Sequence, residues 1–267
     1  MAWDEMASPW LAAAPDLEIG FSQIFEALFT RAKLSFGETV LDVGCGTGAT
    51  VITASGLVGE TDHVTGVDIA LPLLEHAATR VSGNVDFIAA DAATFAFQPS
   101  YYDVLISNFG IMFFGDNAQA FRNLRRAMRP GGRLIATVWG LPQDNPWFSI
   151  PRALVDEFAE NAPKPEPDGP GPMRFGDPTG LQKTLLHTGW SVQISHLDLH
   201  LSPPGPLERL VDTLIALNVR SMLATEDIVE QDLVNIRNGL VEKFSRFEHS
   251  GVLHVPARLH LVSAIAV

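Results

Sequence analysis

Cysteine is almost absent. Cys45 is the only one in 267 residues, so no internal disulfide can form, and such scarcity fits a reducing compartment. Positive charge is also short: 18 Lys and Arg stand against 31 Asp and Glu, a formal net charge of −13. Gripping a phosphate backbone takes a basic face, so a nucleic-acid partner is disfavoured. No apolar run reaches the ~18 uninterrupted residues of a membrane span. The opening Met1-Ala2-Trp3-Asp4-Glu5 has no basic segment ahead of an apolar stretch, so no secretory leader is expected. Together these shortages predict a soluble cytoplasmic protein without nucleic-acid or membrane partners; a homodimer is compatible with them. The arginines cluster at Arg122, Arg125, Arg126, Arg129 and Arg133, a spacing that fits the exposed side and last turn of a helix, where cations oppose the dipole.

What is present is a 46% hydrophobic composition, enough to bury a sizeable core. It is organised around Val40-Leu41-Asp42-Val43-Gly44-Cys45-Gly46-Thr47-Gly48, an apolar strand that runs into a glycine turn and then a helix. Glycines there let a ligand approach the main chain, and the free N–H groups opening the next helix face it. Gly44, Gly46 and Ala49 also satisfy a dinucleotide fingerprint, so the turn alone does not choose a cofactor.

Around this stretch the pattern alternates. A helix is predicted over 3–35, with Leu17, Phe21, Ile24, Phe25, Leu28 and Phe29 on one face. Strands follow at 39–43, 63–68, 85–89, 103–107 and 133–139, with helices over 49–57, 71–81 and 118–128 between them. Strands separated by helices imply a parallel, doubly wound α/β sheet whose ligands bind beyond the carboxyl ends of the strands. Half of the 18 prolines then fall between Pro142 and Pro178, including Pro163-Lys164-Pro165-Glu166-Pro167, which predicts a loop or lid built over that end. The remainder suggests strands at 190–200 and 257–267 and helices over 207–223 and 226–247. The organisation is a single domain: a helical cap (1–35), a cofactor-binding core (36–140), a Pro-rich lid (141–189) and C-terminal strands and helices (190–267).

Three acids bear on the cofactor, and two of them discriminate. Asp68 ends the second strand, where a carboxylate accepts both hydroxyl hydrogens of a ribose; this serves NAD and S-adenosylmethionine alike. Asp91, in Ala90-Asp91-Ala92 after the third strand, suits an adenine amino group. Asp42 sets a carboxylate where a pyrophosphate would be repelled and an ammonium welcomed. Each acid after a strand has an ordinary alternative, capping the next helix.

With these residues in view, the chain resembles the class I S-adenosylmethionine-dependent methyltransferases, in particular the small-molecule group that includes the ubiquinone and menaquinone C-methyltransferases. The resemblance spans about 36–140 and rests on Val40 to Gly48, Gly66-Val67-Asp68-Ile69, Ala90-Asp91-Ala92, Tyr102-Asp103-Val104-Leu105-Ile106-Ser107 and Arg129-Pro130-Gly131-Gly132-Arg133-Leu134. It implies a Rossmann-like, seven-stranded, mostly parallel sheet with an antiparallel last strand. It also implies that Asp42, Gly44, Cys45, Gly46 and Gly48 border the methionine part, Asp68 and Ile69 the ribose and adenine, and Asp91 and Ala92 the adenine. Asn108, in Ser107-Asn108-Phe109-Gly110, falls beside the expected methyl group and joins this set; the stretch lacks the Asn/Asp-Pro-Pro-aromatic signature of nucleobase and glutamine methylation.

Methyl transfer is an in-line displacement that positioning and water exclusion largely supply. Candidate walls of an apolar acceptor pocket are Phe113, Trp139, Trp147 and Phe148, with Met112 and Phe114 as further apolar neighbours; core packing is the alternative for each. No general base stands out: His187, His196, His200, His249, His254 and His260 all lie late in the chain, and Asp144 and Asn145 lack partners for a metal site. Methyl transfer to a small, apolar or aromatic metabolite is the leading expectation. A cofactor-binding protein without transferase activity stands second and an NAD-dependent oxidoreductase third.

Overall fold

The computed structural model describes residues 3–59, 63–159, 162–164, 166, 169–223 and 229–267. In chain order the elements are α1 (Trp3–Gly20), α2 (Ser22–Ala32), β1 (Val40–Val43), α3 (Ala49–Val58), β2 (Val64–Asp68), α4 (Leu71–Arg80), β3 (Val85–Ala89), β4 (Tyr102–Asn108), α5 (Asn117–Ala127) and β5 (Met128–Trp139). Then come α6 (Pro146–Phe158), α7 (Thr179–His187), β6 (Trp190–Leu201), α8 (Leu207–Leu214), a π-helical turn (Ile215–Val219), α9 (Arg220–Met222), α10 (Glu230–Ser245), a small hairpin of β7 (Glu248–His249) and β8 (Val252–Leu253), and β9 (Val255–Ala266).

The sheet has seven strands in the order β3-β2-β1-β4-β5-β9-β6. β1 to β5 are mutually parallel, and β9 runs antiparallel to both β5 and β6. This is the doubly wound sheet with an antiparallel last strand that the sequence predicts. The order reverses at β1, whose neighbours are β2 and β4, so the crevice above its carboxyl end is the expected ligand site. All four β1 residues are buried, as the β-branched, apolar run requires of a central parallel strand.

Four expectations need correction. The N-terminal helix is broken at Phe21: Gly20 lies against Pro203, so close that a Cβ there would stand 2.9 Å from Pro203 Cα, and the chain turns before α2 begins. The Pro-rich stretch is not a loop throughout. It contains α6 and α7, and the apolar spacing Trp147, Ile150, Pro151, Leu154, Val155 gives α6 a buried face despite two prolines. The helix over 207–223 is interrupted by the π turn, and the start of the next at Glu226 lies outside the described residues, as do Pro165 and Pro167. The arginine cluster is more than a solvated face. Arg125 donates to Gly189 O and Val267 O, Arg129 pairs with Asp103, and Arg133 with Glu38, tying the end of α5 and the start of β5 to neighbouring segments.

Candidate functional site

Backbone geometry builds the floor. Past the end of β1, Gly44 turns at φ +72°, and a Cβ on it would stand 2.6 Å from Gly110 Cα. A Cβ on Gly110 would in turn lie 2.3 Å from Val43 O, so the ends of β1 and β4 touch only because both residues are glycine. Ser107 fastens them, its hydroxyl donating to Val43 O at 2.7 Å and accepting from Gly110 N at 3.2 Å. Gly46 is the opposite case: open space stands where its Cβ would be, and the mouth of the turn is clear.

Asp42 lies under this turn with no exposed surface. The Thr50 hydroxyl of α3 donates to its Oδ2, while Oδ1 has no partner. Desolvation raises its pKa to about 7, against the Thr50 hydrogen bond and with a smaller push from the Asp68 charge. A buried acceptor with an open lone pair favours a cationic donor. Burial likewise pushes the Cys45 thiol up, which leaves it a small apolar filler rather than a nucleophile.

Asp68 braces the turn. Its Oδ2 accepts from Gly46 N at 2.8 Å and its Oδ1 from Ala70 N at 2.9 Å, and burial pushes its carboxyl up against those bonds. Each oxygen keeps a second lone pair for a ligand hydroxyl. The neighbouring Ile69 is 56% exposed, an apolar face at the rim. After β3, Asp91 accepts from Ala93 N at 2.8 Å and is exposed, with Ala92 buried beside it. Both acids therefore also serve the local turn. Asn108, at the end of β4, accepts from the Thr137 hydroxyl of β5.

The N-terminal cap reaches this turn through charge. Glu18 of α1 holds Arg80 of α4 at 2.6 and 2.8 Å, and Arg80 donates to Thr47 O at 2.9 Å. A lone Glu on an amphipathic helix carries no sequence signal for this, and Arg80 announces it no better.

Across β4 and β5 the surface becomes aromatic. Phe109 adopts φ +68°, a left-handed conformation that costs a bulky residue on the order of 1–3 kcal/mol. Its ring stacks on Trp139 with centroids 4.6 Å apart and 5° between planes. Phe148 meets Trp139 edge-on at 5.0 Å, and Phe21 lies 6.2, 5.9 and 5.3 Å from Phe109, Trp139 and Trp147. Three predicted pocket residues, Trp139, Trp147 and Phe148, thus share one cluster. Phe113 does not join it and packs on Trp3 at 4.8 Å. Phe109 was no part of the predicted pocket; only its place after β4 pointed to it.

His196 and His260 face each other across β6 and β9, Nδ1 to Nδ1 at 3.1 Å, with His260 Nε2 on Gly176 O at 2.9 Å and burial pushing that imidazole down. Asp144 pairs with Arg258, and buried Asn145 spends its amide on Leu141 O and on the Arg258 N–H and carbonyl. Among the described residues, no three His, Cys, Asp or Glu side chains are grouped to hold a metal ion.

Known proteins share this fold. A family model described as a methyltransferase domain matches residues 40–132, from β1 into β5. The ubiquinone/menaquinone biosynthesis C-methyltransferase UbiE of Escherichia coli O1:K1 is 34% identical over 111 residues, 40% of this chain and 44% of the enzyme. The chain is similar to class I S-adenosylmethionine-dependent methyltransferases over this part of its length. Its match therefore spans less than half the length of that curated relative. Solved structures share the fold over nearly all of the chain. The YcgJ protein from Bacillus subtilis aligns with a TM-score of 0.58 at 16% identity, covering 91% of this chain and 97% of its own. Haemonchus contortus phosphoethanolamine N-methyltransferase 2, crystallised with S-adenosyl-L-methionine, aligns with a TM-score of 0.56 at 17% identity, covering 94% of this chain and 56% of its own. The family match ends at Gly132, so Trp139, Trp147 and Phe148 stand beyond it. Among the described residues, no helix is long and apolar enough to cross a membrane.

Proposed function

We propose that the chain transfers a methyl group from S-adenosylmethionine to a small, apolar or aromatic acceptor. The observation that carries this is Asp42: a buried carboxylate with one oxygen unpartnered, directly beneath an open glycine turn. An α-ammonium satisfies such an oxygen, whereas a pyrophosphate in the same place is repelled.

The remaining residues fit the rest of the cofactor. Gly44 to Gly48 offer backbone to the methionine portion, Asp68 and Ile69 an acceptor and an apolar face to the ribose and adenine, and Asp91 and Ala92 the far edge of the adenine, with Asn108 beside the reacting centre. When bound, the cofactor supplies an electrophilic methyl group on a sulfonium. The chain's own contribution is positioning. The Phe21, Phe109, Trp139, Trp147 and Phe148 cluster gives an acceptor a rigid apolar surface at the carboxyl ends of β4 and β5 and excludes water from it. The acidic net charge keeps nucleic acids out of the acceptor class, and the lone buried Cys45 fits a cytoplasmic setting.

The test is calorimetry joined to a transfer assay. S-adenosylmethionine and S-adenosylhomocysteine bind and NADH does not; label from the methyl group then appears in an apolar or aromatic acceptor. Binding of NADH without S-adenosylhomocysteine would overturn the proposal.

A further inference from the structure

Trp147 is the second residue of α6, and a helix closes by bonding each carbonyl to the N–H four residues on. For Trp147 that residue is Pro151, which has no N–H, so the carbonyl of Trp147 is orphaned by the sequence itself. An orphaned carbonyl in a buried place needs another donor. The structure provides one from 71 residues away: Asn218 Nδ2 donates to Trp147 O at 2.8 Å, and the bond is buried.

Asn218 reaches that position because of an irregularity. The stripe Leu207, Leu210, Val211 and Leu214 follows ordinary helical spacing. The π turn Ile215–Val219 then widens the backbone and buries three consecutive residues, Leu217, Asn218 and Val219. π turns give up hydrogen-bond geometry and recur at functional sites, so one that buries a polar side chain needs a reason. The second irregularity, a proline inside α6, sits opposite it, and proline is where helices hinge.

We infer that Asn218 is the positioning residue of the aromatic acceptor surface: it supplies the hydrogen bond that Pro151 cannot, and so holds the first turn of α6, with Trp147 and Phe148, in place. Pro151 is the hinge and Asn218 the catch. With the catch made, Trp147 sits 5.3 Å from Phe21 and Phe148 sits 5.0 Å from Trp139. With it broken, Trp147 O has no donor in the helix to fall back on, and the first turn of α6 is the part free to move on Pro151. A polar catch also explains why an apolar wall carries an amide at all. This inference rests on the methyl-transfer proposal only for its functional consequence; the catch itself is testable without turnover.

The pair predicts a rescue. In Asn218→Leu, the amides of Phe148, Ser149 and Ile150 exchange with solvent about tenfold faster than in the wild type, the scale of one lost hydrogen bond. Val40 to Val43 exchange unchanged, and the affinity for S-adenosylhomocysteine stays within about threefold. Pro151→Ala restores an N–H four residues from Trp147, so Asn218→Leu combined with Pro151→Ala returns to within about threefold of wild-type exchange. For turnover, Asn218→Leu raises KM for the acceptor more than it lowers kcat, and the double variant recovers it. A single variant that exchanges like the wild type, or a double variant that exchanges as fast as the single one, overturns the inference. Failure of S-adenosylhomocysteine to bind the wild type would instead sink the methyl-transfer proposal and leave the exchange result standing. If Asn218→Leu does not fold, Asn218→Asp, which keeps the size but loses the amide donor, carries the same comparison.

Discussion

The two halves of the proposed site, one for cofactor and one for acceptor, are built by opposite means. From β1 to Ala92, position is set by backbone: touching glycines at the ends of β1 and β4, and acids that bond main-chain N–H groups two or twenty-two residues away. From Phe109 onward, position is set by side chains that meet from distant segments, such as Phe21 on Trp147 and Asn218 on Trp147 O. A backbone-built site tolerates no change of residue type at its turns but binds the same cofactor portion in many proteins. A side-chain-built site can be remodelled by single substitutions, which suits a surface that selects the acceptor.

The sharpest way to break this contrast is Trp147→Ala. Trp147 is 4% exposed, so the substitution costs about 3–5 kcal/mol of stability on ordinary core grounds. On the present account the folded fraction also loses acceptor turnover while its cofactor affinity stays within a few-fold. A stability loss with intact specific activity of the folded fraction would make Trp147 a core residue and no part of the acceptor surface.

Asp68→Ala tests the other half. Removing a carboxylate that holds Gly46 N, and that the proposal turns toward the ribose, weakens S-adenosylhomocysteine binding by roughly 1.5–3 kcal/mol, the scale for hydrogen bonds to charged groups. Acceptor KM at saturating cofactor stays near the wild type. Unchanged cofactor affinity in a folded protein would remove Asp68 from the site.

The smallest expected effect is none: a chelator leaves turnover as it was, because positioning rather than a cation does the work. Loss of activity restored by Mg²⁺ would show that the acceptor half holds an ion.

The same contrast explains what was legible in the sequence. β1 to β5, their order of appearance and the residues of the glycine turn follow from short-range signals, since a positive-φ glycine or an acid after a strand is local chemistry. That Trp139 and Trp147 come near one another is legible in their placement at the two ends of one connection; that Phe21 joins them is not. Phe113 meets Trp3 of α1, and nothing local in the sequence marks a contact over that separation. The prolines of this stretch mask its helix, although the apolar spacing of Trp147, Ile150 and Leu154 and Pro146 at the first position both favour one. Ser107, Arg80 and Asn218 were not legible at all: each acts through a backbone carbonyl or an ion pair whose partner only the fold brings near.

The central claim is that a cationic group pairs with the buried Asp42, and its pH dependence tests this most directly. Asp42's folded-state pKa of about 7 stands above its ordinary 3.8. The folded free protein therefore holds a proton that the unfolded chain releases. Stability from this group is full below about pH 4 and is lost as pH rises to 7, on the order of 4 kcal/mol at about 1.4 kcal/mol per pH unit. Cofactor binding needs the charged form, so it moves the other way. Calorimetric titration with S-adenosylhomocysteine between pH 5.5 and pH 8.5, on the wild type and on Asp42→Asn, decides the matter. The account predicts a wild-type affinity that falls about tenfold for each pH unit below 7, and a variant that binds weakly at every pH yet unfolds at a higher temperature at pH 8. Flat wild-type affinity across that range, with Asp42→Asn binding equally well, would contradict it.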